Sequence, residues 1–209
     1  PPPEGVVRFT VGQPDFRTPQ PVVDTAKQAL DDGLHGYTRS QGTEEVCQAV
    51  ANYLTKYDLD VDANDVVVSP GCKQALLYAM MSCLNPGDEV ILFAPAWPSY
   101  DGMLKLIGAV PVHVPVNREN YHPDMDAARA AITSKTKAIV INSPNNPTGA
   151  VYLPSEIEEL TSIAAEHDLW IFDDMIYSDL VYSDHTYTSP ATFPGGKERT
   201  LTMGGWSKI

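Results

Sequence analysis

The sequence predicts an α/β fold in which helices flank a mostly parallel β-sheet. Short apolar runs rich in β-branched residues alternate along the chain with helical patterns, and glycine or polar turns separate the two. The chain has 209 residues, of which 43% are hydrophobic, so it is long enough to build a substantial core. This alternation is typical of strands joined by crossover helices.

Six apolar runs are predicted to be strands of this sheet. They are residues 66–68, 89–93, 110–114, 138–142, 169–172 and 200–203. Each run is short and bounded by turn-forming residues, as expected for strands buried in a parallel sheet.

Four segments are predicted to be helices between these strands. Residues 19–30 repeat apolar side chains at helical spacing and stop at Gly33, and residues 43–57 begin with Thr43 as a candidate N-cap. Residues 73–84 are apolar nearly all round, which predicts a helix buried against the sheet. Residues 154–167 carry one apolar face.

The chain is predicted to contain one large domain, residues 21–209, preceded by residues 1–20 as an arm or part of a second domain. The sequence ends at Ile209, directly after a predicted strand and a Ser-Lys pair. Because parallel-sheet domains rarely stop at such a point, we expect the chain to be truncated.

Charge and cysteine content argue against several classes of function. The 14 basic and 27 acidic residues give a net charge of −13, which disfavours binding to nucleic acid or anionic lipid. The chain lacks a signal-peptide pattern and an apolar run of membrane-spanning length, so a soluble, cytoplasmic protein is expected. Three cysteines without a C-x-x-C pair, and five histidines without ligand spacing, predict neither a disulfide framework nor a metal site.

Five short motifs follow predicted strands, at the edge where open α/β sheets bind ligands. The turn with Gly71 precedes a helix and suits a phosphate, Trp97 suits a flat ring, and 142–149 (NSPNNPTG) is an unusually specific loop. Asp174 ends a buried strand, where a carboxylate needs a cation or donors, and Lys208 ends the last strand segment. Taken singly, the first motif is more often an ordinary turn, and a lone lysine is usually a surface charge.

Together the five motifs resemble those of the class I aminotransferases, in the aspartate-aminotransferase-like branch of the fold-type I enzymes that depend on pyridoxal 5′-phosphate (PLP). The resemblance includes 12–19 (GQPDFRTP), similar to a G-x-P-D-F-x-T-P opening, and Gly36-Tyr37 followed by Gly42. It implies a three-layer α/β/α large domain that stops before a C-terminal small domain. It also implies a cytoplasmic enzyme that moves an amino group between an amino acid and a 2-oxo acid.

The resemblance assigns the central chemistry to four residues. Lys208 would form the Schiff base with PLP and shuttle the proton, and Asp174 would hold the pyridine nitrogen protonated. Tyr177 and Asn146 would hydrogen-bond the ring oxygen. Lys208, Asp174 and Tyr177 are therefore the expected catalytic residues.

The resemblance also implies contacts to the rest of the cofactor and to the substrate. The backbone N–H groups of residues 71–73 (Gly71, Cys72 and Lys73) would bind the phosphate, and Trp97 would stack on the ring. Gly12, together with Asn146 and Trp97, would lie near the substrate. Tyr37 would reach the phosphate of a neighbouring subunit, which implies a homodimer.

Departures from the family pattern leave alternatives open. Gly205 stands where many relatives have serine or threonine, Glu45-Val46 replaces a common Leu-Arg pair, and two expected arginines lie beyond Ile209. Two alternatives to an aminotransferase stay open. One is a PLP-dependent C–S lyase of the same fold, and the other is an inactive fragment that binds PLP weakly or not at all. A Rossmann-type nucleotide-binding protein is disfavoured because neither G-x-G-x-x-G nor G-x-x-x-x-G-K-[ST] is present.

Overall fold

The computed structural model describes residues 3–7, 12–182 and 184–208, and within them a single five-stranded sheet. All its strands are parallel, in the order β2-β1-β3-β4-β5. The strands are β1 (Glu89–Ala94), β2 (Val110–Pro115), β3 (Thr136–Asn142), β4 (Trp170–Asp174) and β5 (Thr200–Met203). The predicted parallel sheet is confirmed.

Six α-helices occur in the described part of the chain. They are α1 (Gln20–Asp31), α2 (Glu44–Leu54), α3 (Cys72–Cys83), α4 (Ser99–Leu106), α5 (Met125–Ala130) and α6 (Pro154–Glu166). Short 3₁₀ helices cover Thr55–Tyr57, Ala63–Asp65 and Pro190–Thr192. The four predicted helices are confirmed to within a few residues, except that the α-helical part of the second stops at Leu54.

Two apolar layers cover the two faces of the sheet. Side chains alternate between the faces along each strand, so Val90 and Leu92 contribute to one core cluster while Ile91 and Phe93 contribute to the other. The first cluster includes α3 and α4, and the second includes α5 and α6. The three-layer α/β/α arrangement is therefore confirmed.

The predicted strand at residues 66–68 is wrong. Only Val66 is buried, in a small cluster with Cys47 and Ala51 of α2, whereas the side chain of Val67 is 64% exposed. The backbone N–H of Val68 donates to the carbonyl of Gln41 at 2.8 Å rather than to a strand. An apolar run alone does not form a strand when only one of its side chains reaches a core.

The predicted division at residue 20 coincides with the start of α1, which has no buried residue. Residues 1–2 and 8–11 of the predicted arm, and Val11 before the Gly12 motif, lie outside the described residues, as do residue 183 and Ile209. The division into an arm and a large domain stays a prediction.

Candidate active site

The carboxylate of Asp174 lies at the end of β4 and is buried, with 2% of the residue exposed. Its Oδ2 accepts a hydrogen bond from the Tyr100 hydroxyl at 2.6 Å, and its Oδ1 accepts from the Ile176 N–H at 3.2 Å. The Cys72 thiol lies 3.5 Å from Oδ1. Burial raises the pKa of Asp174 above its ordinary value, and these three neutral donors only partly offset that effect.

The N-terminus of α3 lies beside this carboxylate. Gly71 is its N-cap residue, with φ of 90°, a conformation that glycine adopts without strain. No described side chain caps this end of the helix. Its first N–H groups therefore have no described side-chain acceptor, an arrangement that suits an anion.

Trp97 lies next to these elements, just before α4. The Lys73 ammonium is 4.8 Å from the centroid of the Trp97 ring, and the ring of Tyr100 meets Trp97 edge to face at 5.3 Å. These contacts hold Trp97 half-buried between α3 and α4. The structure thus brings Trp97, the α3 N-terminus and Asp174 into one neighbourhood.

The loop after β3 supplies the predicted asparagine. The Asn146 side-chain amide donates to the Tyr177 hydroxyl at 3.3 Å, which places these two predicted residues together. Asn142 ends β3 and fixes the loop, since its Oδ1 accepts from the Asn146 N–H at 2.8 Å and its Nδ2 donates to the Asp174 carbonyl at 2.9 Å. The Ser143–Pro144 and Asn146–Pro147 peptide bonds of this loop are cis.

Lys208 follows β5, the strand next to β4. Met203, at the end of β5, pairs with Asp174 in the parallel register. The Lys208 ammonium donates to the carbonyl of Gly12, and a methyl group placed on Gly12 would lie 4.0 Å from Nζ. Lys208 and Gly12, predicted from separate motifs, therefore meet.

A polar and aromatic cluster packs against the segment that carries Lys208. The ring of Trp206 meets that of Tyr53 at 5.6 Å, and the Tyr53 hydroxyl donates to Asp179 in the turn after β4. Tyr57 donates to the same carboxylate at 2.8 Å, and Lys56 forms an ion pair with it. The cluster links the end of α2 to both strands that carry the candidate catalytic groups.

Among the described contacts, none joins Tyr37 to another predicted site residue. Tyr37 is fully exposed in this chain, in the loop between α1 and α2. A contact with a neighbouring subunit, as the resemblance implies, needs such exposure.

Sequence reasoning missed three contributions to the site. Tyr100 and the Cys72 thiol both reach Asp174, and Asn142 orients the loop that carries Asn146. Asn142 had a detectable signal, a polar residue at the end of an apolar strand. The other two contacts depend on how α3 and α4 pack, which no local pattern encodes.

An open cavity of about 700 Å³ lies nearby, at the ends of β1 and β2, and is lined in part by His113, Arg118 and Tyr121. None of the predicted site residues lines it. No helix in the described residues is long and apolar enough to cross a membrane. Over the same residues, no three His, Cys, Asp or Glu side chains are grouped so that they could hold a metal ion.

The chain is similar to known aminotransferases over most of its length. It is 38% identical over 211 residues to an aspartate aminotransferase of Musicola paradisiaca, covering 98% of this chain and 52% of that protein. It is also 38% identical to aromatic-amino-acid aminotransferase 2 of Thermococcus litoralis, covering 98% and 54%. The chain thus spans about half the length of the curated relatives it matches.

Solved structures show the same fold. Aspartate aminotransferase from Thermus thermophilus with maleate superposes with a TM-score of 0.90 at 40% identity, over 95% of this chain and 52% of that one. N-succinyldiaminopimelate aminotransferase from Mycobacterium tuberculosis gives 0.89 at 32% identity, over 93% and 52%. The sequence profile of the family "Aminotransferase class I and II" matches residues 4–209. This chain therefore belongs to the class I and II aminotransferases.

Proposed function

We propose that the full-length protein is a PLP-dependent aminotransferase that moves an amino group between an amino acid and a 2-oxo acid. The observation that carries the proposal is the environment of Asp174. Its buried carboxylate has only neutral partners among the described residues: a phenol, a thiol and a backbone N–H. A buried carboxylate of this kind is stabilised by a cationic N–H such as a protonated ring nitrogen.

The surrounding residues fit PLP in its other parts as well. The uncapped N-terminus of α3, with the N–H groups of Gly71, Cys72 and Lys73, suits a phosphate. The paired side chains of Asn146 and Tyr177 can donate to a ring oxygen. A phosphate, a ring nitrogen and a phenolic oxygen are three of the four polar groups of PLP, and the fourth is its aldehyde.

Each remaining residue receives a role from its position and chemistry. When bound, PLP supplies an aldehyde that condenses with amines and a ring that withdraws electrons from the substrate Cα. Lys208 would hold the cofactor covalently and then, as a free amine, move the proton at Cα. Asp174 would keep the ring nitrogen protonated, and Trp97 would lie against the ring face.

The substrate side of the proposal rests on fewer contacts. Gly12, Asn146 and Trp97 would line the space for the substrate, and Gly12 already meets Lys208. Tyr37 would bind the phosphate of a neighbouring subunit, so the active form would be a homodimer. Residues 21–209 would form the cofactor-binding large domain.

The first prediction concerns Lys208. Full-length protein mixed with PLP is expected to gain the visible absorbance of lysine-bound cofactor, and Lys208→Ala is expected to lose it because the substitution removes the amine that would bind the cofactor. Absorbance spectra after gel filtration measure this, with Lys105→Ala, on α4, as a control that keeps the band. A folded wild-type protein that stays colourless would refute the proposal.

Product analysis separates the reaction types left open by the sequence. Full-length protein is incubated with 2-oxoglutarate and either aspartate or an aromatic amino acid, the donors in the names of its relatives, and separately with cystathionine. We expect glutamate from the first mixtures. Thiol release from cystathionine without glutamate formation would instead establish a C–S lyase, and no product from any mixture would indicate an inactive protein.

A further inference from the structure

The thiol of Cys72 occupies an unusual position between two parts of the proposed cofactor site. Cys72 is the first residue of α3, so its backbone N–H belongs to the helix end that suits a phosphate. Its Sγ lies 3.5 Å from Oδ1 of Asp174 and donates to that oxygen. Both residues are buried, at 9% and 2% exposure.

The thiol can act only as a donor in this contact. Burial, and then the negative charge of Asp174, raise the pKa of Cys72, so the sulfur keeps its proton. A cysteine at a helix N-terminus usually has a lowered pKa. Here burial, together with the neighbouring carboxylate, reverses that tendency, and the S–H group faces an acceptor.

The other donors to Asp174 leave a gap that the thiol fills. Among the other described donors, Tyr100 holds Oδ2, whereas Oδ1 receives the Ile176 N–H alone, from the turn that follows Asp174 itself. Cys72 therefore supplies the contact that ties Oδ1 to a different element, α3. With Tyr100 on α4, it fixes the carboxylate from two sides.

We propose that Cys72 is a positioning residue whose thiol orients the Asp174 carboxylate and stabilises its ionised form for the cofactor ring nitrogen. The inference rests on the proposed function, since it concerns how Asp174 meets that nitrogen. It assigns to the side chain of Cys72 a role separate from that of its backbone N–H.

The test compares Cys72→Ala, which removes the donor, with Cys72→Ser, which keeps one, in the full-length protein. Cys83→Ala is the matched control, because Cys83 ends the same helix and has no hydrogen bond to Asp174. PLP affinity of the apo form is measured from pH 6 to pH 9 by quenching of tryptophan fluorescence. The other titratable groups around Asp174, which are Asp173, Tyr100 and Tyr177, are common to all variants, so the ratio to wild type reports the change at Cys72.

We expect Cys72→Ala to weaken PLP binding roughly 3- to 10-fold at pH 6, the effect of losing one hydrogen bond to a charged group. The loss should shrink as pH rises, because a higher pH favours the ionised form of Asp174 even without the thiol, and Cys72→Ser and Cys83→Ala should stay within about twofold of wild type. Equal, pH-independent weakening in Cys72→Ala and Cys72→Ser would show a packing role only. An unchanged Cys72→Ala protein would also overturn the proposal.

Infrared spectroscopy of the apo protein tests the contact itself, even if Cys72→Ala does not fold. The S–H stretching band of Cys72 is assigned by its loss in Cys72→Ser. It should lie at the lower frequency of a hydrogen-bonded thiol, and in Asp174→Ala it should move to the higher frequency of a free thiol. A band that is insensitive to Asp174→Ala would refute the inference. Failure of the wild-type protein to bind PLP would refute the proposed function instead. The infrared measurement would still test the contact between Cys72 and Asp174, because it uses the apo protein.

Discussion

At the scale of single residues, two adjacent aspartates of β4 have different environments. Alternation along the strand places Asp174 on the face of α3 and α4, and Asp173 on the opposite face. Oδ2 of Asp173 accepts from Ser189 at 2.8 Å, Thr202 at 3.3 Å and Tyr187, while its Oδ1 has no partner among the described residues. Hydroxyl groups therefore hold Asp173 on the face of the sheet opposite the candidate cofactor site.

Asp173 should make the stability of the protein depend on pH. Burial, and to a lesser degree the charge of Asp174, raise the pKa of Asp173 to about 7. A carboxyl group whose pKa is raised on folding destabilises the folded state as pH rises from its unfolded value, about 3.9, to its folded one. This loss of stability is absent at acidic pH, where the Asp173 carboxyl group is protonated in both states. It reaches its full size above neutral pH, where the group is ionised in both states.

The substitution Asp173→Asn removes this ionisation and keeps an oxygen for the three donors. Relative to wild type, we expect the variant to gain about 3 kcal/mol in free energy of unfolding between pH 5 and pH 8. Urea denaturation of both proteins at several pH values measures the difference. A difference that does not change with pH would contradict the assigned pKa.

At the scale of elements, the glycine at the start of α3 is predicted to matter in two ways. A methyl group on Gly71 would meet nothing within 4 Å, but φ of 90° is strained for any other residue. Gly71→Ala should therefore lose about 1 kcal/mol of stability through backbone strain. It should also weaken binding of PLP and of inorganic phosphate, because relaxation of the turn would move the helix N–H groups.

Gly33 at the end of α1 provides a matched control, since it has φ of 77° and equally open surroundings. Gly33→Ala should show a similar loss in urea denaturation without any change in phosphate or PLP affinity. If the two variants bind PLP equally well, the N-terminus of α3 is not the phosphate site.

Most strands of the sheet could be predicted from the sequence, because strands buried in a parallel sheet are short, continuous apolar runs. Five runs became strands, whereas residues 66–68 did not, because only Val66 found a core to enter. Helices α4 and α5 were not predicted. They are short, with 8 and 6 residues, so they contain too few turns for a periodic pattern.

The candidate site could be predicted as far as strand ends allow. Asp174 ends β4 and Asn146 follows β3, the neighbouring parallel strand, so their proximity follows from sheet geometry. The contacts of Tyr100 and Cys72 with Asp174 join residues 74 and 102 positions apart in the chain. Such contacts arise from the packing of helices on a sheet face, which the sequence pattern does not specify.

At the scale of the whole molecule, the candidate catalytic residues lie at the carboxyl edge of the sheet, whereas Tyr37 lies in the exposed loop between α1 and α2. Asn142 and Asp174 end neighbouring strands, and Lys208 follows the next strand. Tyr37 is fully exposed. If Tyr37 serves the site of a neighbouring subunit, each complete site contains residues from two chains.

Mixing two defective variants tests this arrangement. We expect Tyr37→Ala to weaken PLP binding by about tenfold, the effect of losing a hydrogen bond to a charged phosphate. Lys208→Ala should be inactive. In a hybrid dimer of the two, one site would combine an intact Lys208 from one chain with an intact Tyr37 from the other, and the second site would carry both defects.

Random reassociation of the two variants should therefore restore up to about a quarter of the wild-type sites, since half of the dimers are hybrids and each has one intact site. Activity measured at a PLP concentration well below saturation of Tyr37→Ala, and compared with the activity of Tyr37→Ala by itself, would report mainly those sites. If Tyr37 instead acts within its own chain, no site in the mixture has both intact residues and reassociation restores nothing. The control is the same mixture under conditions in which the dimers do not exchange subunits. Any increase in activity in that control could not come from sites made of residues from two chains.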